Sequence, residues 1–240
     1  MNPVPNAANP EAALVVFCRR PAPGVGKQRL ARVIGREAAH AVGEALLGCT
    51  LEDLDDWPGP VALSPADAAD LEWAQALLAS RRVVHPRSCV VPQPEANLGE
   101  RLEAVDRALR AAGFANLLFI GTDAPALPRG LFGAAAGALA NADVVLAPAR
   151  DGGVTLMGAR RAWPPLAALP WSTDALGAAL AAACLARGDQ VAWLEASFDV
   201  DEPGDLDLVL GQLAADPRPA RRALHALARR LRPGAQVAAS

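Results

Sequence analysis

Ala13-Leu14-Val15-Val16-Phe17-Cys18-Arg19-Arg20-Pro21-Ala22-Pro23-Gly24-Val25-Gly26-Lys27-Gln28-Arg29-Leu30 is the stretch that decides the fold class. Its first six residues are apolar without alternation, which reads as a strand buried on both faces of a helix-covered parallel sheet. The residues after it form a loop rich in Pro, Gly and cations. In open α/β sheets ligands bind at the carboxyl ends of strands. A second such run, Asn116-Leu117-Leu118-Phe119-Ile120, leads straight into Gly121-Thr122-Asp123.

Outward from these two strands the pattern alternates. Residues 35–55 predict a helix with Ala38, Val42, Ala45, Leu46 and Cys49 on one face. Strands are expected at 60–64 and 89–91, with a helix between them at 67–79 capped by Ser64 or Asp67. Helices follow at 98–112 and 130–140, with strands at 143–147 and 153–158. A helix at 173–187, capped by Ser172 or Thr173, precedes a last strand at 191–194 and a helix at 203–213. Alternation at this spacing predicts an α/β protein with a mostly parallel sheet. The expected organisation is a lead-in over 1–12, one domain over 13–215 and an arginine-rich helix and tail over 216–240. That last piece has six arginines between Pro217 and Arg232, with Ala223, Leu224, Leu227 and Leu231 opposite them, and reads as a solvated surface helix packed on the domain, contact with anionic lipid or a partner being the alternative.

Composition narrows the function. The chain has 240 residues, 52% hydrophobic and 20% charged, enough for a core and incompatible with intrinsic disorder. Lys+Arg total 23 against Asp+Glu 26, a net charge of −3, which argues against a general nucleic-acid binder. Tyr is absent and aromatics are 4%, so stacking platforms for bases are not expected. No stretch of about 18 apolar residues is free of charges, so no membrane span is predicted. The first residues lack the basic and apolar regions of a signal peptide. Cys18, Cys49, Cys89 and Cys184 are scattered, as suits buried reduced thiols, and a cytoplasmic location is the expectation. His40, His85 and His225 are equally scattered, so a divalent metal would be held by carboxylates rather than by a zinc-type set.

Lys27 is the only lysine among the 23 cationic residues, and it lies in the loop after the first strand. A compact ammonium there suits a phosphate, and Arg19, Arg29 and the glycines around Pro23 and Gly24 add charge and backbone N–H groups. The loop is not a Walker A motif, since Pro21 and Gln28 stand at required positions, nor a dinucleotide fingerprint, since Arg29 stands at the third glycine. Asp123, on a proline-stiffened turn after a strand, is placed to ligate Mg²⁺ or Mn²⁺ or to cap the next helix. Asp151-Gly152-Gly153 leaves room for a sugar or acceptor. Asp199 or Asp201 could complete a metal site with Asp123, while Glu202 and Asp205 could simply complement a helix N-terminus.

In order, Arg-Pro-x-Pro-Gly-x-x-Lys-x-Arg-Leu, Leu98-Gly99-Glu100-Arg101, Gly-Thr-Asp-x-Pro-x-Leu, Asp-Gly-Gly, Trp171-Ser172-Thr173 and Asp-Val-Asp-x-Pro-x-Asp-Leu resemble one bacterial family. This is the selenodomain-associated or arsenosugar-biosynthesis glycosyltransferase group of the nucleotide-diphospho-sugar transferase superfamily. The resemblance spans roughly residues 13–210. More distantly the chain is similar to the guanylyltransferases of coenzyme F420 biosynthesis. It departs from the group's pattern at Arg19, at Gln28 and at Val154-Thr155, where Lys, Thr and aromatic residues are usual.

The resemblance implies a GT-A type fold with a Rossmann-like sheet and helices on both faces. It implies nucleotide phosphates at Lys27 and Arg29, with Arg19, Pro23 and Gly24 in the same loop. It places metal at Asp123 and Asp201, less firmly Asp199, and the transferred or acceptor group at Asp151, Gly152 and Gly153 with Trp171, Ser172 and Thr173 beside them. The implied activity is metal-dependent transfer from an NDP-sugar, with Lys27 steadying the leaving diphosphate and Asp151 acting on the acceptor. A nucleotidyltransferase releasing pyrophosphate is the rival reading, and a non-catalytic nucleotide-binding protein a third. The expected partner is a nucleotide-activated small molecule, with a homodimer allowed and nucleic acid excluded.

Overall fold

The computed structural model describes residues 12–82 and 84–232. Most of the expected lead-in therefore lies outside the described residues, and its last member, Ala12, belongs instead to the first strand. Strand β1 (Ala12–Cys18) is followed by helices α1 (Gln28–Ile34) and α2 (Arg36–Asp55), then β2 (Val61–Pro65), a single 3-10 turn and α3 (Leu71–Ala79). Next come β3 (Cys89–Val90), α4 (Leu98–Ala111), β4 (Asn116–Ile120), α5 (Leu131–Ala138), β5 (Val144–Pro148) and β6 (Val154–Ala159). The chain ends in α6 (Leu176–Ala186), β7 (Val191–Trp193), α7 (Asp205–Gln212) and α8 (Pro219–Leu231).

The seven strands form one sheet in the order β3-β2-β1-β4-β6-β5-β7. All pairings are parallel except those of β6, which runs antiparallel to both β4 and β5. A tight hairpin from β5 causes the reversal: Gly152 donates its N–H to the Ala149 carbonyl and Ala149 its own to Gly153. The chain moves outward from β1 through β2 to β3, then returns to place β4 on β1's other side. The carboxyl ends of β1 and β4 thus meet at the point where strand order reverses, the usual location of a ligand crevice in this architecture.

The two-residue side-chain period of each strand divides the apolar residues between the sheet's faces. Leu14, Val16, Leu118 and Ile120 pack with Leu131 and Ala135 of α5 on one face. Ala13, Val15, Leu117 and Phe119 pack with Leu102, Val105 and Leu109 of α4 and Leu180 of α6 on the other. A third apolar cluster joins α1, α2, α7 and α8 through Leu30, Val42, Leu46, Val209, Leu224 and Ala228. The described residues include no helix long and apolar enough to cross a membrane. Cys18, Cys49 and Cys184 are buried, and burial pushes the first two thiols up to about 12 and the third to about 11.

Three local expectations change. Residues 28–34, which overlap the end of the expected loop and precede the helix expected from residue 35, form α1, which Gly35 at φ 88° separates from α2. Helix α6 starts at Leu176 with Ala175 as its cap residue, so neither Ser172 nor Thr173 caps it. Helix α8 packs on the domain through Leu224, Leu227 and Leu231, but not all its arginines are solvated, because Arg221 and the flanking Arg218 are buried. Asp67 does cap its turn, accepting the Ala69 N–H at 2.9 Å, and Asn97 and Glu100 form a reciprocal capping box at the start of α4.

Candidate active site

Where β1 and β4 end, a chamber of about 530 Å³ opens between the loop after β1, the β5–β6 hairpin, the segment before α6 and the segment after β7. Part of its lining is apolar: Phe17, Leu98, Leu102, Phe119, Met157, Trp171 and Leu176. Part is charged, with Lys27, Arg29, Asp151, Asp199 and Asp201. A concave pocket of this size, lined by apolar and polar groups in about equal measure, has the dimensions of a small-molecule site. The apolar lining escapes sequence reading, because Phe17, Phe119 and Met157 look like ordinary core residues of buried strands. Only the alternation of Phe17 and Phe119 onto the α4 face hints at it.

Lys27 organises the charged side. Its Nζ donates to Asp123 Oδ1 at 2.8 Å, to Asp201 Oδ1 at 2.9 Å and to the Val200 carbonyl at 2.6 Å. Burial works against the ammonium, but the Asp123 and Asp201 charges outweigh it and hold the pKa above the ordinary lysine value. The residue stands at φ 47°, in the left-handed region. Such backbone is uncommon outside glycine and gathers at functional sites. The other described non-glycine residue at positive φ is Ser172, at 63°, and it lines the same chamber.

The carboxylates divide across the Lys27 ammonium. Asp199 and Asp151 face the chamber, whereas Asp123 lines a second, adjoining cavity of about 270 Å³ with Arg19, Arg20, His40 and Thr122. Lys27 and Asp201 border both. Burial pushes Asp199 up to about 6, reinforced by the negative charges of Asp151, Asp201 and Asp123. Asp151 sits beside this segment because the hairpin pairs with it: Arg150 N–H donates to the Ser197 carbonyl at 3.1 Å. Asp205 accepts the N–H groups of Asp201 and Glu202 at 2.8 and 2.7 Å, fixing the turn that presents Asp201, and Glu202 pairs with Arg29 at 3.2 Å.

The chamber gathers Lys27, Arg29, Asp151, Gly153, Trp171, Ser172, Thr173, Asp199 and Asp201 of the candidate residues. Arg19 and Asp123 belong to the second cavity instead. Pro23 and Gly24 border neither; Gly24 serves the loop itself, its carbonyl accepting from Gln28 Nε2 at 2.7 Å. Gly152 is not among the residues lining the chamber. At φ 88° it packs on Asp174, whose carbonyl oxygen would lie 2.0 Å from an added Cβ.

Among the described residues no three His, Cys, Asp or Glu side chains converge as a preformed metal cage. The donor set nonetheless fits a hard cation. It is carboxylate throughout, Asp123, Asp151, Asp199 and Asp201 lining the two adjoining cavities. Mg²⁺ is ordinarily held by one or two carboxylates together with substrate phosphates rather than by a complete protein cage.

Residues 49–173, just over half of the chain, match the family described as "Uncharacterized protein conserved in bacteria (DUF2064)". The chain belongs to this family. No curated protein matches it. Its structure is similar to one from Desulfovibrio desulfuricans G20 provisionally named a nucleotide-diphospho-sugar transferase: TM-score 0.77, 24% identity, covering 91% of this chain and 94% of that one. It is also similar to a nucleotidyl transferase from Methanothermobacter thermautotroptrophicus, with TM-score 0.55, 17% identity and coverage of 82% and 95%. A third similar structure is CMP:2-keto-3-deoxy-manno-octonic acid synthetase complexed with CTP, with TM-score 0.51, 12% identity and coverage of 85% and 98%. At these identities the likeness is one of fold, and the Rossmann-like α/β fold is common to all of them.

Proposed function

We propose that this protein is a transferase acting on a nucleotide-activated substrate, with an NDP-sugar as donor. The observation that carries the reading is the chamber at the β1–β4 switch point, whose lining combines apolar side chains with Lys27 and the carboxylates of Asp151, Asp199 and Asp201. The fold shared with the Desulfovibrio protein supports it, as does the motif order that resembles the selenodomain-associated glycosyltransferases.

In this reading the apolar lining takes the uncharged parts of the donor, and Lys27 steadies the negative charge that grows on the departing diphosphate. Asp123 and Asp201, with Asp199 beside them, would hold Mg²⁺ or Mn²⁺; when bound, that ion supplies further neutralisation of phosphate charge. Asp151 accepts a proton from the acceptor hydroxyl. Its Oδ1 is committed to the Gly153 N–H at 2.9 Å, which leaves Oδ2 for the acceptor. Arg29 and Ser172 line the approach.

One observation favours a second reading, nucleotidyl transfer from an NTP. The second cavity, of about 270 Å³, brings Arg19, Arg20 and Lys27 together beside Asp123 and Asp201, cations that suit a pyrophosphate.

The test is a melting-temperature panel of UDP-, GDP-, ADP- and dTDP-sugars and the four NTPs, with and without Mn²⁺, since a ligand of the native state raises its melting temperature. A Mn²⁺-dependent shift from one NDP-sugar, followed by release of the nucleoside diphosphate on adding acceptor, supports glycosyl transfer. A shift from one NTP with release of pyrophosphate supports the second reading. No shift from any of them removes both.

A further inference from the structure

Helix α8 has so far no part in the chemistry, yet its arginines reach the loop that bears Asp123. The Arg221 side chain is fully buried. It donates from Nε to the Pro125 carbonyl at 3.1 Å, and from Nη1 to the Cys49 carbonyl at 2.5 Å and Glu52 Oε2 at 2.9 Å. Its Nη2 reaches Asp53 Oδ2 at 2.6 Å. Arg218, just before the helix, donates to Asp53 Oδ1 at 3.0 Å and to the Leu127 carbonyl at 3.4 Å.

Pro125 and Leu127 lie two and four residues past Asp123, in a segment with no regular structure of its own before α5. Buried carbonyls there need donors from elsewhere, and the two arginines provide them. From the opposite side, the Val200 N–H bonds the Asp123 carbonyl at 2.9 Å. The Asp123 segment is thus held between α8 and the residues that present Asp201.

Helix adhesion alone would not require arginine. Leu224 and Ala228 already pack α8 on α2 in the third apolar cluster, and apolar residues can replace buried ion pairs without loss of stability. What they cannot do is bond the carbonyls of Pro125 and Leu127.

We propose that Arg221, assisted by Arg218, is a positioning residue that sets the Asp123 carboxylate against Lys27, making the C-terminal helix part of the active-site framework. The proposal rests on the reading of Asp123 as a site residue.

The experiment compares Arg221→Lys, which keeps the charge but cannot span all four partners, with Ala228→Gly, which loosens the same helix away from the loop. Both are studied where circular dichroism shows them folded. Hydrogen exchange of residues 121–127 reads the clamp, and Mn²⁺ titration reads the site. In Arg221→Lys, exchange in that segment becomes about tenfold faster while β1 and β4 keep their protection. Mn²⁺ binding weakens about 10- to 100-fold, the usual result of removing a group that orients a metal ligand. Ala228→Gly leaves both unchanged.

Equal loosening across the chain in both variants, or unchanged exchange at 121–127 in Arg221→Lys, overturns the proposal. If Arg221→Lys does not fold, Arg218→Gln, which loses the Leu127 contact together with the Asp53 and Asp216 pairs, is judged by the same readings. A wild type that binds no Mn²⁺ defeats the metal role of Asp123 separately, and the exchange readings still decide the clamp.

Discussion

Gly99 and the Trp171 indole are packed so closely that a Cβ on the glycine would lie 2.7 Å from Trp171 Nε1 and 2.3 Å from the Leu166 carbonyl oxygen. The indole N–H itself donates to that oxygen at 2.8 Å, and Glu103 Oε1 accepts the Leu166 and Ala167 N–H groups. The first turn of α4 therefore anchors the wall that carries Trp171, Ser172 and Thr173. Gly99→Ala is expected to push this wall outward, costing about 1–3 kcal/mol as overpacking does and weakening ligand binding. Urea unfolding together with ligand titration checks it, and an unchanged Kd would show the wall to be irrelevant to binding.

Replacing Lys27 removes the only cation between Asp123 and Asp201. Lys27→Met is expected to weaken binding of the preferred nucleotide about 100-fold, as loss of a buried charge partner does. The two carboxylates are left facing each other, so Mn²⁺ binding without nucleotide should survive. Calorimetric titration of each ligand separates the two effects. Loss of both would make Lys27 a purely structural bridge.

Asp199, pushed up to about 6 by burial and then by Asp151, makes stability depend on pH in a defined direction. The folded state holds this proton more tightly than the unfolded chain, so the contribution is present at low pH and is lost as pH rises through about 6. Asp199→Asn is therefore expected to melt higher than wild type at pH 8, the advantage shrinking towards pH 5. A constant difference across that range would contradict the assignment.

Asp143 has the opposite sign. The Gln190 N–H and the Arg160 and Arg161 side chains hold its pKa at about 2, below the usual 3.8. Its contribution is present above that ordinary value and lost as pH falls through about 2. Asp143→Asn is expected to be less stable at pH 7, with the gap to wild type closing as pH drops below about 4. Urea midpoints at several pH values measure the gap, and one that stays constant would remove Asp143 from the acid response.

The central strands are legible because continuous apolar runs such as Ala13–Cys18 have few other readings. The direction of β6 is not, since it follows from hydrogen bonds of the hairpin at Ala149–Gly153 rather than from any period in Val154–Ala159. Lys27 stands out by composition, but its partners, more than ninety residues away, are set by tertiary contacts. The division of the carboxylates across it is likewise invisible in a linear motif, which groups Asp123 and Asp201 only by residue type. Arg221 offers a signal that was available: positions 221, 224 and 228 share one helix face, so an arginine there falls on the buried stripe with Leu224 and Ala228.

Because every other cation in the chain is arginine, the site holds the protein's single side-chain amine. Protein made with nitrogen-labelled lysine would give one ammonium resonance, arising between Asp123 and Asp201 and reporting directly on what enters either cavity. Its side chain is only 9% exposed and paired to two acids, so amine-directed labels should react with it slowly in the folded protein and readily after unfolding. Occupancy and unfolding can thus be followed at one atom without introducing a probe.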